Sequence, residues 1–277
     1  MMKIVAFVDL SLYSHSVIDH AAWLARENQA GVELVNIVSP NELAASNLAP
    51  VHPAGAMLVQ QAGDLDAKVQ ELARQGRERL DQAHRTLNAA GVYDVGTRLL
   101  EGHTAQTMVQ AAAKASVVVM GKRGERADLA RLPLGSNLER VARGTKVPVL
   151  AVSRSFRPIK RLLAALDAEA PTAPALDALT GGLLPAGPLD LLHVGEPSEN
   201  VRQALHQAAT KLTEAGFEVG CRTEPGDAEL VVPQRVVLDG ADLLVINAFG
   251  SSRLRSMLLG SRTSELLRAC QVPVLLC

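Results

Sequence analysis

Short runs of unbroken apolar residues punctuate this chain, among them Ile4 to Val8, Val117 to Met120, Leu162 to Leu166, Leu243 to Ile246 and Val274 to Cys277. Runs of this length, bounded by turn residues, suit strands buried on both faces. The longer stretches between them, with apolar positions returning every three or four residues, suit amphipathic helices. The pattern predicts strands over 3–9, 32–38, 94–100, 116–121 and 147–153, then over 160–166, 188–194, 217–223, 241–246 and 272–277. The longest predicted helix runs from Asp64 to Ala90, rich in Ala, Glu, Arg, Gln and Leu, and stops before Gly91, a common C-terminal arrangement. Strand and helix alternate throughout, as in a parallel sheet covered on both faces.

The pattern also occurs twice. Val117 to Gly124, then Leu134-Gly135-Ser136, then Val147-Pro148-Val149-Leu150 is matched by Leu243 to Gly250, Leu259-Gly260-Ser261 and Val272-Pro273-Val274-Leu275. Asp9 and Asp167 each close the first strand of a copy. The expected architecture is therefore two tandem doubly wound α/β domains, 1–154 and 155–277, each a five-stranded parallel sheet with helices on both faces. The first copy is longer, and the surplus is expected in Ser39 to Gly63, where Pro40, Pro50, Pro53 and Gly55 break regular structure and suggest a surface excursion.

Composition narrows the functional classes. Apolar residues make up 48% of the 277 positions and aromatic ones 3%, so Ala, Val and Leu must fill the cores. With 28 Lys plus Arg against 29 Asp plus Glu, no basic excess points to nucleic acid or an anionic membrane, and an anionic ligand must be held locally. No stretch approaches a membrane span or a signal peptide. The three cysteines, Cys221, Cys270 and Cys277, have no metal-site or disulfide spacing; a reducing cytoplasm is expected, with Cys270 and Cys277 acting as small buried hydrophobes. The seven histidines are scattered and read as surface or packing residues.

Candidate chemistry concentrates in Gly121-Lys122-Arg123-Gly124, a ten-residue spacer, and Gly135-Ser136-Asn137 at a helix start. Glycines let a ligand approach the backbone, and a helix N-terminus offers unpaired N–H groups and a positive dipole end to phosphate. Lys122 and Arg123 add positive charge suited to a polyphosphate. The pattern is neither a P-loop nor a GxGxxG fingerprint. A purely structural turn with a capped helix explains the same residues, and Asp9 reads equally as a strand-end capping carboxylate.

The repeated Gly-x2-Gly, spacer and Gly-Ser pattern, together with the strand-ending aspartates, resembles the universal stress protein family in its tandem-domain form, over nearly the full length. The resemblance implies the adenine nucleotide alpha-hydrolase-like, Rossmann-like version of the α/β fold, and ATP or AMP as ligand, with Mg2+ only alongside ATP. It places Asp9, Ile37, Gly121, Arg123, Gly124, Gly135, Ser136 and Asn137 in the first site, and Asp167, Val194, Gly250, Gly260, Ser261 and Thr263 in the second. The first copy has a spacer of ten residues where the family has nine; the second keeps nine but carries Asn247 for the first glycine and lacks the hydroxyl-rich turn after its aspartate. The first site is therefore expected to be the better one. The resemblance further implies a cytoplasmic regulatory protein with little chemistry of its own, with weak ATPase activity and a protein-interaction module as alternatives. It also implies pairing of the two final strands, Val147 to Val152 and Val272 to Leu276, within one chain, and leaves a homodimer and unidentified protein partners open.

Overall fold

A computed structural model of the chain describes residues 2–40, 56–124, 136–166, 174–247 and 266–277. The first repeat runs β1 (Lys3–Phe7), α1 (Ser14–Asn28), β2 (Gly31–Val38), α2 (Ala56–Ala89), β3 (Val95–Glu101), α3 (Thr104–Ala112), β4 (Val117–Gly121), α4 (Ser136–Gly144) and β5 (Val149–Val152). The second runs β6 (Leu162–Ala165), α5 (Pro174–Thr180), β7 (Pro188–Val194), α6 (Glu199–Glu214), β8 (Glu218–Glu224), α7 (Ala228–Leu238), β9 (Leu243–Ile246) and β10 (Val274–Leu276). All the expected strands form. The helix expected from Asp64 starts earlier, at Ala56, so the last part of the expected excursion is helical, while its residues 41–55 lie outside the described residues. Met57 to Ala62 are mostly good helix formers, and one interior glycine costs only about 1 kcal/mol, which a helix of 34 residues absorbs.

The strands form one sheet in the order β3-β2-β1-β4-β5-β10-β9-β6-β7-β8, whose two halves are the same arrangement read from opposite ends. Within each half every pairing is parallel. The halves join through β5 and β10, which pair antiparallel with Leu150 opposite Leu275. The carboxyl ends of the strands in the two repeats therefore point in opposite directions, and their candidate clefts lie at opposite ends of the sheet.

Side-chain alternation along each strand splits the core into two layers. Ile4, Ala6, Val119, Leu150, Leu275 and Val245 face one layer, beneath α1, α2, α5 and α6. Val5, Phe7, Val118, Val149, Leu276 and Leu244 face the other, beneath α3, α4 and α7. Each layer continues from one repeat into the next without a break.

Candidate functional site

Asp9 lies two residues beyond β1, in a turn that its own side chain organises. Asp9 Oδ1 accepts from the Ser11 N–H at 3.0 Å, and Ser14 Oγ lies 3.1 Å from the same oxygen. The Asp9 N–H donates to Ser14 Oγ at 3.0 Å, and Ser11 Oγ accepts from the Tyr13 N–H at 3.2 Å. Residues such as Ser and Asp favour closures of this kind because their short side chains bond backbone groups two residues on. The result fixes the carboxylate at the start of α1, above the carboxyl end of β1.

The glycine loop leaves β4 beside this turn. A Cβ on Gly121 would stand 2.7 Å from Tyr13 Cβ and 2.8 Å from the Arg123 carbonyl oxygen, and one on Gly124 would stand 3.1 Å from Asp9 Oδ2. The structure thus brings Asp9, Gly121 and Gly124 together, with the half-buried Arg123 between the glycines. Ile37 stands on β2 two residues past Val35, the last register partner of β1, so its backbone extends beyond the end of that strand. Asn137 lies in the first turn of α4, whose backbone begins at Ser136. In the second repeat Val194 ends β7 opposite Glu224. Gly135, Asp167, Gly250, Gly260, Ser261 and Thr263 lie outside the described residues.

Lys122 corrects the sequence reading. Instead of offering its charge to a ligand, it is only 6% exposed. Its Nζ donates to the carbonyls of Cys270 at 2.6 Å and Val272 at 2.8 Å, across the end of β5. Burial lowers its pKa from 10.5 to about 8, partly opposed by the neighbouring Cys270 thiol. Nothing in the local sequence marks this, because the acceptors are about 150 residues away and reach it only through the β5–β10 pairing.

Asn247, where the family pattern has glycine, is also committed to structure. It is buried, and its Oδ1 accepts from the Ala175 N–H at 2.8 Å, supporting the start of α5. A further pair was invisible in the sequence. Asn36 Nδ2 donates to the Val8 carbonyl at 2.7 Å, and at the corresponding place in repeat two His193 Nδ1 lies 3.4 Å from the Leu166 carbonyl. Since a carbonyl can only accept, the His193 tautomer there carries its proton on Nδ1. His103 does not join Asp9 and the glycines. Together with Ala105, Gln106, Val109 and Arg140 it lines a cleft of about 380 Å3 between α3 and α4. Among the described residues, no cluster of three or more His, Cys, Asp or Glu is placed to hold a metal ion. Nor is any helix long and apolar enough to cross a membrane.

Fold and site together define a tandem, doubly wound α/β protein with a glycine loop beside an aspartate turn at the carboxyl ends of β1 and β4. The model of the universal stress protein family matches residues 1–153 and again residues 158–277, and the chain belongs to that family. A universal stress protein from Synechocystis sp. is 29% identical over 284 residues, covering 99% of both chains. Among solved structures, a universal stress protein from Archaeoglobus fulgidus aligns with a TM-score of 0.72 at 20% identity, covering 99% of this chain and 95% of its own. A putative universal stress protein from Pseudomonas aeruginosa aligns with a TM-score of 0.60 at 18% identity, over 100% and 92%. Both share this fold across the two repeats.

Proposed function

We propose that the chain is a regulatory protein that binds an adenine nucleotide, ATP or AMP, at the glycine loop of its first repeat. The observation that carries this reading is the bare backbone of Gly124, which faces a carboxylate held rigid by Ser11 and Ser14, with Gly121 packed on Tyr13 just before it. Bare backbone admits ribose or phosphate, and the fixed Asp9 offers an acceptor to a hydroxyl or an amine. Beyond the end of β1, the Ile37 backbone provides an edge for the base. Ser136 and Asn137 supply N–H groups at the start of α4, and Mg2+ accompanies ATP. Arg123 is then the loop cation directed to phosphate, since Lys122 is committed elsewhere.

In the second repeat, Asn247 fills the place of the first glycine and bonds to α5, which favours one nucleotide per chain. Calorimetric titration of the full chain with ATP and with AMP should give one site with micromolar affinity, near −8 kcal/mol. Gly124→Val, which thrusts a branched side chain at Asp9, should weaken it at least tenfold. Absence of binding heat with either nucleotide, and of nucleotide carried through purification, would overturn the reading. The same Asn247 contact favours a second reading, a protein-interaction module whose glycine loops are structural turns. That reading gains if nucleotide fails to bind while a specific protein partner is retained. A slow ATPase would require multiple-turnover phosphate release that Gly124→Val abolishes.

A further inference from the structure

The loop that carries Gly121 and Gly124 in the first repeat is fastened at Lys122 to both halves of the molecule. The Lys122 N–H donates to the Val152 carbonyl of β5 at 3.1 Å, within its own repeat. Its side chain then crosses the end of β5, and Nζ donates to the carbonyls of Cys270 and Val272, just before β10 in the other repeat. A lysine is seldom buried this deeply without a carboxylate partner, and here the ammonium donates to two neutral carbonyls. An apolar side chain would fill the same space without losing ammonium hydration. What the lysine adds is direction, since two converging hydrogen bonds fix where the loop stands relative to β10.

The neighbours of Lys122 make that position consequential. Gly121 packs on Tyr13, which precedes α1, and two residues after Lys122 comes Gly124, against the Asp9 carboxylate. A shift of β10 relative to β5 therefore moves the loop against Asp9. The fastening runs in one direction only, because the position matching Lys122 in the second repeat is Ala248, whose side chain carries no donor.

Resting on the nucleotide reading above, we propose that Lys122 is a positioning residue that couples nucleotide binding in the first repeat to the seating of the second repeat's final strand. The nucleotide site of repeat one is then complete only with repeat two docked, and occupancy of the site tightens β10.

The test uses the full chain, wild type and Lys122→Met, which keeps the apolar stem and removes the donor. ATP affinity is read by calorimetry, and amide hydrogen exchange is followed at residues 122–124 and 274–276 with and without ATP. The expected result is at least tenfold weaker ATP binding by Lys122→Met, with faster exchange of both segments in the unliganded variant. In the wild type, ATP should slow exchange at 274–276, although that strand belongs to the other repeat. Wild-type ATP affinity in Lys122→Met, or exchange at 274–276 indifferent to ATP in the wild type, would overturn the coupling. If the Met variant does not fold, Lys122→Gln, which retains a donor, replaces it and is expected to bind ATP more weakly than the wild type, and the wild-type exchange measurement still decides the coupling. If the wild type binds neither ATP nor AMP, the nucleotide reading has failed by itself. The fastening is then judged by exchange in the unliganded proteins: acceleration at both segments in Lys122→Met upholds it, and unchanged rates refute it.

Discussion

His20 illustrates how a single ring can set the response of this molecule to acid. It is fully buried on α1, its Nδ1 lies 2.7 Å from the Ser16 carbonyl, and its ring makes a T-shaped contact with Phe156 in the linker between repeats, the centroids 4.9 Å apart. Its other nitrogen, Nε2, finds no partner among the described residues. Burial lowers its pKa from 6.5 to about 4, outweighing the bond to Ser16. Between those values the unfolded chain takes up a proton that the folded chain refuses, so stability is full above pH 6.5 and falls as the pH drops toward 4. A shift of this size corresponds to about 3 kcal/mol. Urea midpoints at pH 7 and pH 4.5 should differ clearly in the parent and much less in His20→Leu; equal acid sensitivity in the two proteins would remove His20 from the explanation. As a packing residue His20 fits the sequence reading. Its neighbour across the linker does not emerge from any local pattern, and neither does the committed ammonium of Lys122.

At the scale of elements, the same strand-to-helix junction is built differently in the two repeats. Asp9, Ser11 and Ser14 close the junction before α1 from within the turn. Before α5 the support comes from a distant strand, where Asn247 accepts from the Ala175 N–H. Replacing Asn247 with Ala leaves that buried N–H without its acceptor, a loss of about 1–3 kcal/mol. Chemical denaturation of Asn247→Ala should show that drop, and an unchanged midpoint would mean that the side chain is not what holds the start of α5. The Asp9 turn was legible in the sequence because all its partners lie within five residues. The Asn247 contact was not, because it joins residues 72 apart and sequence alone records only a missing glycine. The early start of α2 at Ala56 has a related cause: Gly63 reads as a breaker locally, but a helix that packs along β2 and β3 tolerates it.

Across the whole molecule, the two apolar layers pass uninterrupted through the β5–β10 junction, from Leu150 to Leu275 on one face and from Val149 to Leu276 on the other. Such continuity predicts that the repeats unfold together. Trp23, the single tryptophan, is buried on α1 and reports the first repeat alone, whereas far-ultraviolet circular dichroism reports both. Their urea transitions should coincide. Separate midpoints would show that the repeats are energetically independent, and would weaken any coupling carried by Lys122.

The strands, the duplication, the parallel order within each repeat and the Asp9 turn follow from the sequence, because unbroken apolar runs, turn chemistry and a repeated register are local or self-similar properties. The tertiary structure alone decided the roles of Lys122, Asn247 and the Asn36–His193 pair. Each depends on which distant backbone group the sheet order brings within about 3 Å, and hydrogen bonds reward that proximity steeply while leaving no periodic trace in the chain. The glycine loop stands between the two cases. Its composition announces a close backbone approach, but only the antiparallel junction of the repeats turns Lys122, one of its two cations, inward onto the carbonyls of Cys270 and Val272.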